Sequence, residues 1–238
     1  MEWSKRIQKL PIRRTLFLGL DLAIRLDEII IRLCTLLSIL HSSKLVDSAI
    51  IVPLALSIEA DLAHWVDHLI PEYAYTIIPL QEASREVYSD NYHVYPQLRI
   101  ARIWAHYRCS RILVHEVILD TISPLSLSST NLQPTYHEVQ RRTSERLLAT
   151  ITSDICASVP LYLGYNNCRP TPAAAGTFFL WPLSLVATRK YTSRSMREWV
   201  ILQLDKIGDI MGIQQATTLA RVLRTRKKLT AWDTREEQ

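Results

Sequence analysis

The chain has 238 residues, 48% hydrophobic and 21% charged, with a formal net charge of 28 − 23 = +5. That composition belongs to a globular chain long enough to bury a sizeable core, and it excludes intrinsic disorder. A pI near 9.1 permits nucleic-acid contact without demanding it, and a mean hydropathy of +0.03 leaves apolar surface for a partner or a further part of the chain.

The apolar pattern is helical nearly throughout. A first long helix is expected over 14–40. Asp21, Arg25, Glu28 and Arg32 form one narrow charged stripe on it, alternating in sign, and nearly every other position is apolar. Such a helix is expected to be buried on most sides. Its stripe is either a solvated edge or a polar seam against another charged helix. A second helix runs from Asp47 to Leu69, with Pro53 in its early turns. Residues 70–92, rich in proline and tyrosine, read as an ordered connection with room for one short helix.

A third helix covers 95–122. Ser- and Pro-rich residues 123–135 form a loop, and a fourth helix spans 136–158, ended by Pro160 and Gly164. After a loop at 165–172, a helix over 173–188 carries Pro182, which is expected to kink it. Ser193 or Ser195 caps the next helix, which reaches Met211 and stops at Gly212. A last helix runs from Gln214 to Lys228. No stretch alternates convincingly at period two. The expected fold class is all-α: one domain over 1–238 with about seven to nine helices.

Motifs exclude more than they assign. The five glycines form neither a GxGxxG nor a Walker loop, and GxSxG is missing. The acids form no aspartate-rich magnesium box. Cys34, Cys109, Cys156 and Cys168 stand too far apart for a local zinc site, and their apolar contexts suit reduced, buried thiols. His64 and His68 have the spacing of a helical zinc pair, but Trp65 stands where a metalloprotease needs glutamate. No third ligand is identifiable, so an exposed helix surface is the preferred reading. Asp21 breaks the only candidate apolar leader, and the uncharged runs are shorter than the ~20 residues of a membrane span. The expectation is an intracellular, non-membrane protein with no cofactor, in which no motif supports catalysis and a site assembled from distant residues stays open.

"WAHYRCSRILVHEVIL", residues 104–119, carries the strongest internal signal. Arg108, Arg111 and His115 share one face of a greasy helix near Trp104. They suit a catalytic cluster, a phosphate clamp, a DNA-reading edge or the polar heart of a core. Buried cations need acceptors. Asp154, alone in the uncharged run "SDICASVP", is the first choice and the first-helix stripe the second. An internal polar network that fixes helix register is preferred, because no nucleophile or metal ligand set accompanies it. Arg221, Arg224, Arg226, Lys227 and Lys228 form a basic run that suits either a nuclear-import patch or a solvated helix end.

Four segments together resemble the C-terminal part of the regulatory region of fungal binuclear zinc-cluster transcription factors. They are "DLAIRLDEIIIRLCTLL"; the Trp104, Tyr107, Arg108, Arg111, His115 helix; "SDICASVPLYLG" with Asp154, Cys156, Pro160 and Gly164; and the closing pair of segments with Trp181, Pro182, Trp199, Gly208, Met211, Gly212 and Ala216. Their order spans nearly the whole chain. The resemblance implies an all-helical, nuclear regulatory domain that acts through a protein partner, a small-molecule effector or dimerisation. The family's six-cysteine DNA-binding module is missing from these residues. The chain is therefore expected not to read a DNA sequence itself, and to be a truncated or stand-alone regulatory part. The competing readings are an all-α enzyme with a site assembled across helices, and a relic without function.

Overall fold

A computed structural model describes residues 11–42, 48–126, 136–167 and 173–225. Seven α-helices carry the fold: α1 (Pro11–Ser42), α2 (Ser48–Asp67), α3 (Leu98–Ser126), α4 (Tyr136–Ala157), α5 (Ala173–Thr188), α6 (Arg194–Met211) and α7 (Gln214–Arg224). The class is all-α, with one exception to the expected pattern. Residues 70–92 do include a short 3₁₀ turn at Pro71–Tyr73. They also supply β1 (Thr76–Pro79), which pairs antiparallel with β2 (Asn91–Val94), His93 opposite Ile77. The hairpin escapes a period-two search because both faces of β2 are covered. Tyr92 meets Tyr165 on one side, and His93 meets Tyr75 on the other, at 5.1 and 4.4 Å between ring centroids.

α3 is the central helix. It packs against α1, α2, α4 and α5, and nearly every position from Tyr107 to Leu119 is buried or half-buried. A helix apolar all round belongs inside a bundle. α2 lies antiparallel to both α1 and α3. The Trp65 indole donates to the Leu22 carbonyl at 2.8 Å and sits 6.3 Å from Trp104, while Glu59, earlier on α2, meets Arg111, later on α3. Arg32 on α1 likewise meets Asp61 on α2. α1 and α3 therefore run parallel to each other.

α1 departs from expectation. Its inward side buries Leu22, Leu26, Leu33 and Leu36, but Ile24, Ile31 and Ile39 face solvent, Ile31 at 64% exposure. One layer of partners covers one stripe, so the helix is not buried on most sides. The charged stripe is split as well: Arg25 pairs within the helix with Asp21 at 3.1 Å, and Arg32 crosses to Asp61 and Ser57. α2 is long and apolar enough to cross a membrane by length and composition. In the fold its Ile51, Ala55, Ile58, Leu62 and Trp65 belong to the protein core.

The C-terminal elements follow their punctuation. Ser193 is the N-cap of α6, accepting from the Met196 amide at 3.1 Å, and Gly212 ends the helix with φ +68°. Gly164, at φ +90°, closes the 3₁₀ turn that Pro160 opens. Pro182 is buried inside α5 and does not end it. α7 ends at Arg224, so Arg226, Lys227 and Lys228 lie outside the described residues, as does Cys168. Arg221 and Arg224 are exposed, and Arg224 pairs with Asp205 of α6.

Gly208 explains how closely α6 and α7 meet. A Cβ added there would overlap the Thr217 hydroxyl oxygen and lie 3.4 Å from the Thr217 Cβ and backbone nitrogen. Gly208→Ala is expected to destabilise the protein by about 2 kcal/mol through overpacking. Urea unfolding checks this: adding Thr217→Ala should restore most of the loss, and a neutral single variant would show that the two helices can slide apart freely.

Candidate functional site

The basic residues of α3 enter two separate networks rather than one. Arg108 is 1% exposed, among the largest fully buried side chains. Its Nη1 donates to the Tyr95 hydroxyl at 2.5 Å and to Ser158 Oγ at 2.9 Å, and its Nη2 lies 3.4 Å from His93 Nδ1. Asp154 Oδ2 is 3.7 Å from Arg108 Nε, an ion pair without a formed hydrogen bond. The guanidinium also lies over Tyr75 and Trp104, 4.9 and 5.2 Å from the ring centroids.

Apart from Arg108 Nε, which has only the Asp154 carboxylate at 3.7 Å, the protons of this network can be placed. Burial, and then the charge of Arg108, hold the His93 imidazole down to about 3, so it is neutral near pH 7. Neutral Nδ1 accepts from Arg108, which leaves the ring proton on Nε2, 3.9 Å from Asp154 Oδ1. That approach is a polar contact, not an ion pair. Ser158 accepts from Arg108 and gives its own proton to the Asp154 carbonyl at 2.8 Å. Burial raises the Asp154 carboxyl above its ordinary value even though Arg108 opposes it. The network ties the hairpin, α3 and the end of α4 together.

Arg111 and His115 belong instead to Glu59 of α2. Arg111 Nε donates to Glu59 Oε1 at 3.0 Å and its Nη2 makes a further short bond. His115 Nε2 lies 3.4 Å from Glu59 Oε2, and its Nδ1 is 3.0 Å from Ser144 Oγ on α4. Burial pushes the Glu59 carboxyl up, but His115 and Arg111 together outweigh it and hold it below its ordinary value. Neither Asp154 nor the α1 stripe is the acceptor for these two residues. Glu59 was legible: it follows Ala55 by four and precedes Leu62 by three, on the edge of the buried face of α2.

The remaining motif residues mostly pack. The Trp104 indole donates to the Tyr73 carbonyl at 2.8 Å, and the Tyr107 hydroxyl accepts from Arg111 at 3.1 Å. Cys156 is fully buried and its thiol is pushed well above the usual range; burial likewise lifts Cys109 to about 12. Neither is a thiolate nucleophile near neutral pH. Cys34 corrects the expectation of buried thiols, because it is exposed. His64 and His68 are exposed, with ring centroids 4.0 Å apart. Among the described residues no group of three or more His, Cys, Asp and Glu could hold a metal ion.

What sequence reasoning missed is a groove of about 750 Å³ between α1 and α3, with α5 at its side. α1 contributes Ile30, Leu33, Cys34, Leu37, Leu40 and His41. α3 contributes His106, Cys109, Ser110, Leu113, Glu116, Val117 and Asp120, and Trp181 and Arg189 complete it. Trp181 is 48% exposed there. His106 and Asp120 stand fourteen residues apart on α3, which makes the groove about 21 Å long at 1.5 Å per residue. Charge gathers towards the Asp120 end. Arg189 Nη1 meets Glu116 Oε2 at 3.0 Å, and Lys190 Nζ meets Asp120 Oδ1 at 2.8 Å. Burial raises the Glu116 carboxyl to about 7, with Asp120 adding to the rise and Arg189 and Lys190 opposing it. A mostly apolar cleft with a few convergent polar groups and a displaced carboxyl is the usual form of a small-molecule site. Compared with protein-family models, with curated proteins and with solved structures, the chain matches none.

Proposed function

We propose that the chain is a regulatory domain of a fungal transcription-factor-like protein. It acts in the nucleus by binding a small effector, and a partner protein reads the result; it neither reads DNA itself nor catalyses a reaction. The observation that carries this reading is the groove between α1 and α3, which has the size and the lining of an effector site. The polar networks support the same reading. Arg108 and Arg111 are committed to neighbouring side chains from four parts of the fold, so they serve its register rather than a substrate.

An effector that binds only the folded chain stabilises it by about 2.7 kcal/mol at one hundred times its Kd. A thermal-shift screen of apolar metabolites is expected to find such a compound, and the compound should be recovered unchanged. Fused to an unrelated DNA-binding module in a reporter strain, the chain should then change transcription when the compound is supplied. Consumption of the compound would replace this reading with an enzyme, and a reporter indifferent to every stabilising compound would remove the regulatory role.

A further inference from the structure

The groove is asymmetric, and its asymmetry selects a class of ligand; this step rests on reading the groove as a small-molecule site. Because α1 and α3 run parallel, Ile30 and His106 mark one end, while Leu40, His41 and Asp120 mark the other. Between the ends, Leu33, Leu37, Leu113 and Val117 present hydrocarbon over several turns. A compact polar ligand would leave that length in contact with water, whereas an extended aliphatic chain covers it.

The charged end supplies the head-group chemistry. Arg189 lines this end with its Nη1 3.0 Å from Glu116 Oε2, and its side chain keeps 25% of its surface open, so its guanidinium is within reach of a ligand in the groove. A guanidinium with one carboxylate partner and open surface favours a ligand that brings a second anionic oxygen. Glu116 is faced by Asp120 on its own helix and by Arg189, Lys190 and Tyr191 beyond α5; Cys109 of α3 and His41 of α1 line the same groove. The geometry points to an elongated aliphatic monocarboxylate as the ligand, its chain along α1 and α3 and its carboxylate on Arg189. The incoming carboxylate replaces Glu116 as the counter-charge of Arg189, and Glu116 takes up one proton from solvent, so the net charge of this end is conserved. That exchange is easy near neutrality, where Glu116 already titrates. An amine would have to compete with Arg189 and Lys190 for Glu116 and Asp120, which those two cations already hold.

The test is isothermal titration calorimetry of the full chain with decanoate, 1-decanol and decylamine. Decanoate is expected to bind one to one, at least tenfold more tightly than the alcohol or the amine. Its affinity should be level below about pH 7 and fall towards tenfold per pH unit above it, since one proton is taken up with the ligand. Arg189→Gln should weaken decanoate at least tenfold and leave decanol unchanged, and Leu37→Trp, which fills the apolar length, should weaken both. The comparison of three head groups on the unaltered chain holds even where a variant fails to fold. Equal binding of acid and alcohol, or tighter binding of the amine with rising pH, overturns the carboxylate assignment while the groove remains a small-molecule site. Binding by none of the three, or at many sites indifferent to Leu37→Trp, overturns this inference; only a failed screen of other chemistries would also remove the effector reading.

Discussion

Arg108→Ala is expected to destabilise the fold by about 4 kcal/mol, the largest single-residue effect on the described core. Three losses combine. The guanidinium fills space between Tyr75 and Trp104, and alanine leaves that space empty. Tyr95 and Ser158 lose a charged donor, although they keep each other at 2.9 Å, Ser158 keeps the Asp154 carbonyl, and Tyr95 stays 3.3 Å from His93 Nδ1. Asp154 loses its counter-charge. This last loss is the smallest, because Asp154 is about one third exposed and its carboxyl already sits above its ordinary value, so water or a proton can replace Arg108. Arg108→Lys should fall between wild type and alanine, because an ammonium keeps the charge but cannot serve Tyr95, Ser158 and His93 from one planar fork. Urea unfolding at pH 7 gives both numbers. A loss under about 1 kcal/mol for alanine would mean that water enters the site and that the network does not hold the hairpin to α3 and α4. His93 adds a second check. Burial is the larger cause of its low value and Arg108 the smaller, so the imidazole should remain neutral at pH 7 in the alanine variant, observable by NMR.

The helical class was legible because α3, α5 and α6 carry their signals locally: apolar residues at helical spacing, a serine N-cap and a glycine stop. The hairpin was not, since β2 is covered on both faces and shows no alternation, and its partner strand Thr76–Pro79 is only four residues long. Periodicity also misjudged α1. It reports how apolar a helix is, whereas burial depends on how many neighbours the fold supplies, and only α2 and α3 pack closely on α1 among the described elements. The same limit applies to the polar cluster. Three basic residues on one face said that acceptors were needed, and Asp154 does approach Arg108. But the 1.5 Å rise places Arg111 and His115 further along α3, at the level of Glu59 on antiparallel α2. Helix direction decides that pairing, and a single helical wheel does not contain it. The groove was invisible for a related reason: it is made by a parallel pair, α1 and α3, that are not neighbours in sequence.

Arg111→Met is the second large effect, with an expected loss of about 3 kcal/mol near pH 7. Methionine keeps most of the apolar stem, so the loss is electrostatic: Glu59, 13% exposed on its side chain, keeps only the long approach of His115. The sign of the pH dependence follows from Glu59. Its folded value is depressed, so the pair stabilises the protein above the unfolded carboxylate value near 4.5, and that contribution fades as pH falls through the folded value. Wild type and variant should therefore converge in stability on acidification, because a protonated Glu59 needs no counter-charge in either. The double variant Glu59→Leu with Arg111→Met should recover most of the loss, since apolar residues of similar volume can replace a buried ion pair without penalty. His115 limits the recovery by the contact it loses to Glu59, while its bond to Ser144 remains. An unchanged unfolding midpoint in Arg111→Met would place the guanidinium in solvent and dissolve the link between α2 and α3. A gap between wild type and variant that widens towards low pH would instead mean that some group other than Glu59 depends on Arg111.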